Sequence, residues 1–163
     1  MTTVKTSKVT DRRDLRYGRL TELVDDVASF EGKVRSSGNW TPAQNVDHVA
    51  RVIECSLDGF TVPNAPLIAR GFAKMMRSSI LNKPMKAGFS IPGKFKDMKP
   101  PPDVSWDDAV ARLTSVVARI EKGQKMLHRS PLLGYLEHEE WIQLHCRHAE
   151  MHFSFLHPEQ SGD

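Results

Sequence analysis

From His138 to Leu156 the chain contains no glycine and no proline, and it meets Pro158 just beyond, which commits this stretch to one uninterrupted helix. Placing successive residues roughly 100° apart gathers Trp141, Leu144, His145, His148, Met151, His152 and Phe155 within about one third of the circumference. Glu139, Glu140, Gln143, Arg147, Glu150 and Ser154 fall opposite, on what reads as the solvated face. Three histidines therefore sit inside an apolar stripe. Burying an imidazole without a partner costs on the order of 1–3 kcal/mol. His148 and His152, four residues apart and side by side, need something to satisfy them. One divalent ion reached by both rings would do so, and backbone or water partners in a packed core would do so too.

The rest of the chain supplies the elements against which that stripe can pack. Leu20, Leu23, Val24, Val27 and Phe30 recur at helical spacing and predict an amphipathic helix over about Asp14–Phe30. Thr41-Pro42-Ala43-Gln44 is a complete helix start, with a capping threonine, proline at the first helical position and glutamine at the third. The helix it opens runs to about Gly59. Asp47, Arg51, Glu54 and Asp58 fill one arc of it, and Val46, Val49, Ile53, Leu57 and Phe60 centre the apolar remainder. His48 lies at the edge of that remainder, beside Val52, Cys55 and Gly59, a position compatible with a pocket wall, although a histidine at a stripe edge is more often simply half-exposed.

Leu67–Leu81, with Phe72, Met75, Met76 and Ile80, predicts a shorter helix that covers one end of the core. Ser105-Trp106-Asp107-Asp108 opens another helix, which Ala109, Leu113, Val116, Val117 and Ile120 carry to about Lys122. Four main helices plus one shorter one predict an all-α bundle with almost no strand. Proline and glycine concentrate between Asn82 and Val104, a loop long enough to serve as a pocket lid. His128–Tyr135 reads as a turn-rich link, and both ends, Met1–Thr10 and Pro158–Asp163, read as frayed.

With 163 residues and 39% hydrophobic content, a single domain over 1–163 is expected, its core spanning about 12–156. The net charge of +3 comes from scattered cations. The densest basic stretch, Lys83–Lys99, is interleaved with proline and glycine rather than aromatics, so nucleic acid is not an expected partner. No apolar run approaches the ~20 residues of a membrane span, and Met1–Arg16 lacks an apolar signal core. The expectation is a cytoplasmic protein without a membrane partner. Cys55 and Cys146 form no CxxC pair and read as reduced, partly buried thiols.

His128, His138 and His157 fall on loops or helix ends and read as solvated. His145 shares the inner face but lies a turn early, and it reads as a core residue or a hydrogen-bonding support for the other two rather than a ligand. The string His148-Ala149-Glu150-Met151-His152 differs from the zinc-protease helix H-E-x-x-H, because Glu150 follows the first histidine by two residues and projects from the far face. No G-x-S-x-G elbow is present for a serine hydrolase.

Asn39-Trp40-Thr41 through Gln44 and His48, together with a C-terminal helix bearing His-x-x-x-His, resembles the DinB/YfiT-like superfamily, whose members are regarded as metal-dependent enzymes. The resemblance spans roughly residues 12–156. Ser56–Phe60, Pro92-Gly93, Pro131–Leu136 and Trp141–Leu156 are similar to an uncharacterised branch of it. It implies an up-down four-helix bundle that holds a divalent metal with His48, His148 and His152. Trp141 and His145, and Cys55 near His48, are then the candidate supporting or pocket-lining residues. The superfamily includes thiol-dependent S-transferases and isomerases, so the resemblance implies activation of water or of a low-molecular-weight thiol for hydrolysis or S-transfer on a small molecule. Met151 stands where related helices often carry another histidine, and no residue matches a thiol-cofactor site. Zinc and nickel suit imidazole ligands best. A non-enzymatic metal- or ligand-binding bundle is the alternative, and faces such as that of the Asp14–Phe30 helix could support a homodimer.

Overall fold

The computed structural model describes residues 3–61, 63–88 and 98–159. Six helices dominate it: α1 (Thr21–Ala28), α2 (Pro42–Asp58), α3 (Leu67–Met75), α4 (Arg77–Asn82), α5 (Trp106–Glu121) and α6 (His138–Phe153). Two short strands, β1 (Val34–Ser36) and β2 (Leu156–Pro158), pair antiparallel, with Arg35 opposite His157.

Local chemistry sets the limits of the long helices. Thr41 Oγ1 accepts from Gln44 N at 3.2 Å and Gln44 Oε1 accepts from Thr41 N at 3.0 Å, the reciprocal box that starts α2. Gly59, at φ 103°, ends it. Ser105 caps α5 through Asp108 N, with Asp107 and Asp108 in its first turn where the helix dipole favours anions. Glu137 and Glu140 cap α6 reciprocally.

α2 is the central element, packed against both α5 and α6, while α1 lies on α5 and α4 on α6. Val46, Val49 and Ile53 of α2 join Leu113 of α5 and Trp141 and Phe153 of α6 in the buried core. The charged arc of α2 turns toward α5, with Asp47 buried and Asp58 still exposed. Arg112 reaches Asp47 at 2.9 Å and Glu54 at 2.8 Å, and Arg119 pairs with Asp58.

Several boundaries differ from the sequence expectation. The first helix covers Thr21–Ala28 rather than Asp14–Phe30, because residues 13–17 are spent as a strap along α6. Arg13 N donates to Ser154 O at 2.8 Å, Tyr17 N donates to Glu150 Oε1 at 2.6 Å, and Arg147 donates to Tyr17 O. That strap also corrects the reading of Arg147 and Glu150 as solvated. Both are buried and pair with each other at 2.8 Å. Periodicity marks a face as polar without showing what covers it.

The expected 67–81 helix is two helices, broken at Met76. The last helix stops at Phe153, and the residues that follow form β2, which Ser37 N to Phe155 O and Glu159 N to Lys33 O extend on either side. His157 is therefore a strand residue near Ser37 and Asp11 rather than a solvated one, and Pro158 is paired rather than frayed. At the other end, Val4 and Asn39 exchange two hydrogen bonds of 2.8 Å, which ties down a segment expected to be loose. Residues 89–97, the middle of the expected lid, lie outside the described residues, as do 160–163. No helix among the described residues is long and apolar enough to cross a membrane.

Candidate metal centre

α2 and α6 bring His48, His148 and His152 together, with one ring nitrogen from each lying within 4.8 Å of the others. The three rings pack edge to face, their centroids 4.6–5.0 Å apart. His48 is buried, whereas His148 and His152 retain partial residue exposure.

Hydrogen bonding fixes which nitrogens face inward. His48 Nδ1 lies 2.6 Å from Met98 O. A carbonyl only accepts, so Nδ1 carries the proton and Nε2 keeps its lone pair. Asn45 commits its amide nitrogen to Thr41 O at 3.0 Å and Trp40 O at 3.4 Å, which turns Oδ1 toward His152 Nδ1 at 3.2 Å. His152 is thereby protonated on Nδ1 and presents Nε2 as a donor of electrons. His48 Nε2 and His148 Nε2 are 3.2 Å apart. Two nitrogens bonded at about 2.1 Å to one ion at a near-tetrahedral angle lie about 3.4 Å apart. A proton on His148 Nε2 donated to His48 Nε2 fits this spacing, and so does an ion to which both nitrogens turn a lone pair.

Electrostatics favours neutral rings. Burial pushes His48 down to about 4, against the opposing pull of the Met98 carbonyl. Burial, reinforced by the neighbouring histidines, holds His148 and His152 well below the ordinary histidine range. Neutral imidazole is the ligating form, so the site needs no deprotonation near neutral pH. The donor set, its spacing and its protonation are all compatible with a divalent ion.

Trp40 closes one side of the group. Its ring stacks on His152 at 5.4 Å, 11° from parallel, and meets His48 edge-on at 5.0 Å. A rigid aromatic wall of this kind restricts both rings.

The remaining candidates lie elsewhere. His145 is fully buried, stacked on Trp141 at 5.2 Å, with Nε2 3.0 Å from Ser56 Oγ. Ser56 spends its hydroxyl proton on Ile53 O, so His145 Nε2 donates to it. Trp141 stacks in turn on Phe60 at 5.9 Å. These two belong to a core stack, and His145 bears on the three-histidine group electrostatically, by disfavouring protonation of His148. Cys55 faces a separate hollow of about 290 Å³, lined with Arg51, Glu54, Asp58, Gly59 and Thr61.

Asn45, Trp40 and the Met98 carbonyl escape a reading of the sequence for ligands. Asn45 carries a usable signal, since it lies three residues before His48 on the same face of α2. Trp40 precedes the cap and has no helical period to place it. A backbone carbonyl leaves no trace in residue type at all.

Residues 9–159 match the model of a family described as "Protein of unknown function (DUF1569)". No curated protein and no solved structure matches the chain.

Proposed function

The chain belongs to the DUF1569 family, and we propose that it is a metal-dependent enzyme acting on a small molecule, with His48, His148 and His152 as its metal ligands. The observation that carries this reading is the convergence of Nε2 atoms: His48 and His152 each spend Nδ1 outward, on Met98 O and Asn45 Oδ1, while His48 and His148 meet through Nε2 at 3.2 Å.

Three neutral protein ligands leave coordination positions open, as catalytic sites do and closed structural sites do not. A zinc or nickel ion held there would supply a Lewis acid able to lower the pKa of a bound water or small thiol. Trp40 supplies an apolar wall beside His48 and His152. We read α1, α2, α5 and α6 as a DinB/YfiT-like up-down bundle forming one domain. Hydrolysis or S-transfer on a small molecule is the reaction class this arrangement supports.

The test is turnover by metal-loaded protein across a panel of thiol-transfer acceptors, esters and amides. Turnover that requires added zinc or nickel and disappears in His148→Ala/His152→Ala supports the enzyme. Full metal loading with no turnover across the panel overturns it in favour of a non-enzymatic binding bundle.

A further inference from the structure

α3 is a helix without a face to bury. Of its residues only Ala73 is buried, and the helix packs chiefly against the short α4. Leu67, Ile68, Phe72 and Met75 share one side at helical spacing and are 79%, 89%, 62% and 73% exposed. Apolar side chains scattered singly over a surface need no explanation, but four on one stripe of a nine-residue helix do. A helix this short is marginal in water without something to pack against.

The charge around the stripe narrows what that something is. No acidic residue occurs anywhere between Asp58 and Asp97, whereas Arg70, Lys74, Arg77, Lys83 and Lys86 all fall in or just after α3 and α4. Arg77 is paired with Glu140. Arg70 and Lys74, four residues apart, border one edge of the stripe. Ala65 N donates to Pro131 O at 2.9 Å, which sets the start of α3 beside the turn closed by Ser130 and Gly134. That turn exposes Tyr135 at 72% and Leu132 at 44%, with the Arg129 guanidinium 5.3 Å from the Tyr135 ring.

We propose that α3 and this turn rest on a bilayer surface rich in anionic lipid. Apolar side chains bordered by arginine and lysine, with a tyrosine at the margin, match the two layers of a membrane interface, acyl chains below and phosphates above. A second copy of the chain docked through the same face would bring Arg70 and Lys74 of both copies into one interface to which residues 59–96 supply no acidic partner, which charge repulsion opposes. That no helix among the described residues is long and apolar enough to span a membrane does not bear on this contact, because α3 would lie in the plane of the surface.

The experiment is co-sedimentation of the full chain with vesicles of phosphatidylcholine alone and with about one quarter phosphatidylglycerol. Binding is expected only to the anionic vesicles, and raised salt should weaken it. Ile68→Glu/Phe72→Glu and Arg70→Glu/Lys74→Glu should each lower the partition coefficient by about tenfold or more. All four positions lie outside the core, so circular dichroism and metal content should match the parent protein. No anionic preference, or binding by both variants equal to that of the parent protein, overturns the proposal. So does a dimer, seen by light scattering, that Ile68→Glu/Phe72→Glu splits while no vesicle binding occurs.

Discussion

The Asn45 side-chain oxygen lies 3.2 Å from His152 Nδ1, and the Asn45 amide nitrogen is held by the carbonyls of Trp40 and Thr41 at the start of α2. A capping segment is thus tied to the orientation of a ring on another helix. Replacing Asn45 by Ala should free the His152 tautomer and weaken metal affinity by about 10–100-fold. Asn45→Asp, which keeps an acceptor in place, should retain most of it. Competition titration against a chromogenic chelator measures both, and unchanged affinity in Asn45→Ala would contradict the assigned role.

Trp40 stacks on His152 and touches His48, so its emission should report on the site. Nickel titration is expected to quench part of the tryptophan fluorescence. Trp40→Phe should abolish that response and leave the signals of Trp106 and Trp141. Equal quenching in Trp40→Phe would place the ion elsewhere.

Burial depresses the histidine pKa values, to about 3 for His145 and about 4 for His48, against 6.5 in an ordinary setting. Between those values the unfolded chain binds more protons than the folded one. Stability of the metal-free protein should therefore be full above about pH 6.5 and fall as pH drops toward 3. Each such histidine contributes a slope of at most about 1.4 kcal/mol per pH unit. Urea denaturation at pH 7.5, 5.5 and 4.5 should show the loss, with a smaller slope in His145→Gln. Constant stability across that range would contradict neutral burial.

Arg147 and Glu150 are buried together beneath the 13–17 strap. Removing one partner strands the other's charge in the interior. Arg147→Ala and Glu150→Ala should each cost about 3–5 kcal/mol in denaturant unfolding. A loss under about 1 kcal/mol would mean that the strap opens readily to water.

How much of this is legible in the sequence depends on whether the cause is local. The Thr41 and Ser105 caps and the apolar periods of α2 and α5 are local, and those elements begin where their residues say they do. His148 and His152 are legible because four-residue spacing on an apolar stripe has a cost that demands a partner. The strap over Arg147 and Glu150 and the pairing of β1 with β2 come from segments more than a hundred residues apart, which no helical wheel contains. His48 looks half-exposed on its own helix and becomes buried only when the Met98 carbonyl and α6 close over it.

The central claim is that His48, His148 and His152 hold one divalent ion. Elemental analysis of protein purified without a histidine tag, before and after titration with zinc and nickel, tests it directly. About one equivalent per chain is expected, lost in His148→Ala/His152→Ala while the helical signal persists. Protein that is metal-free as purified, takes up no ion on titration and gains no thermal stability from either metal would contradict it.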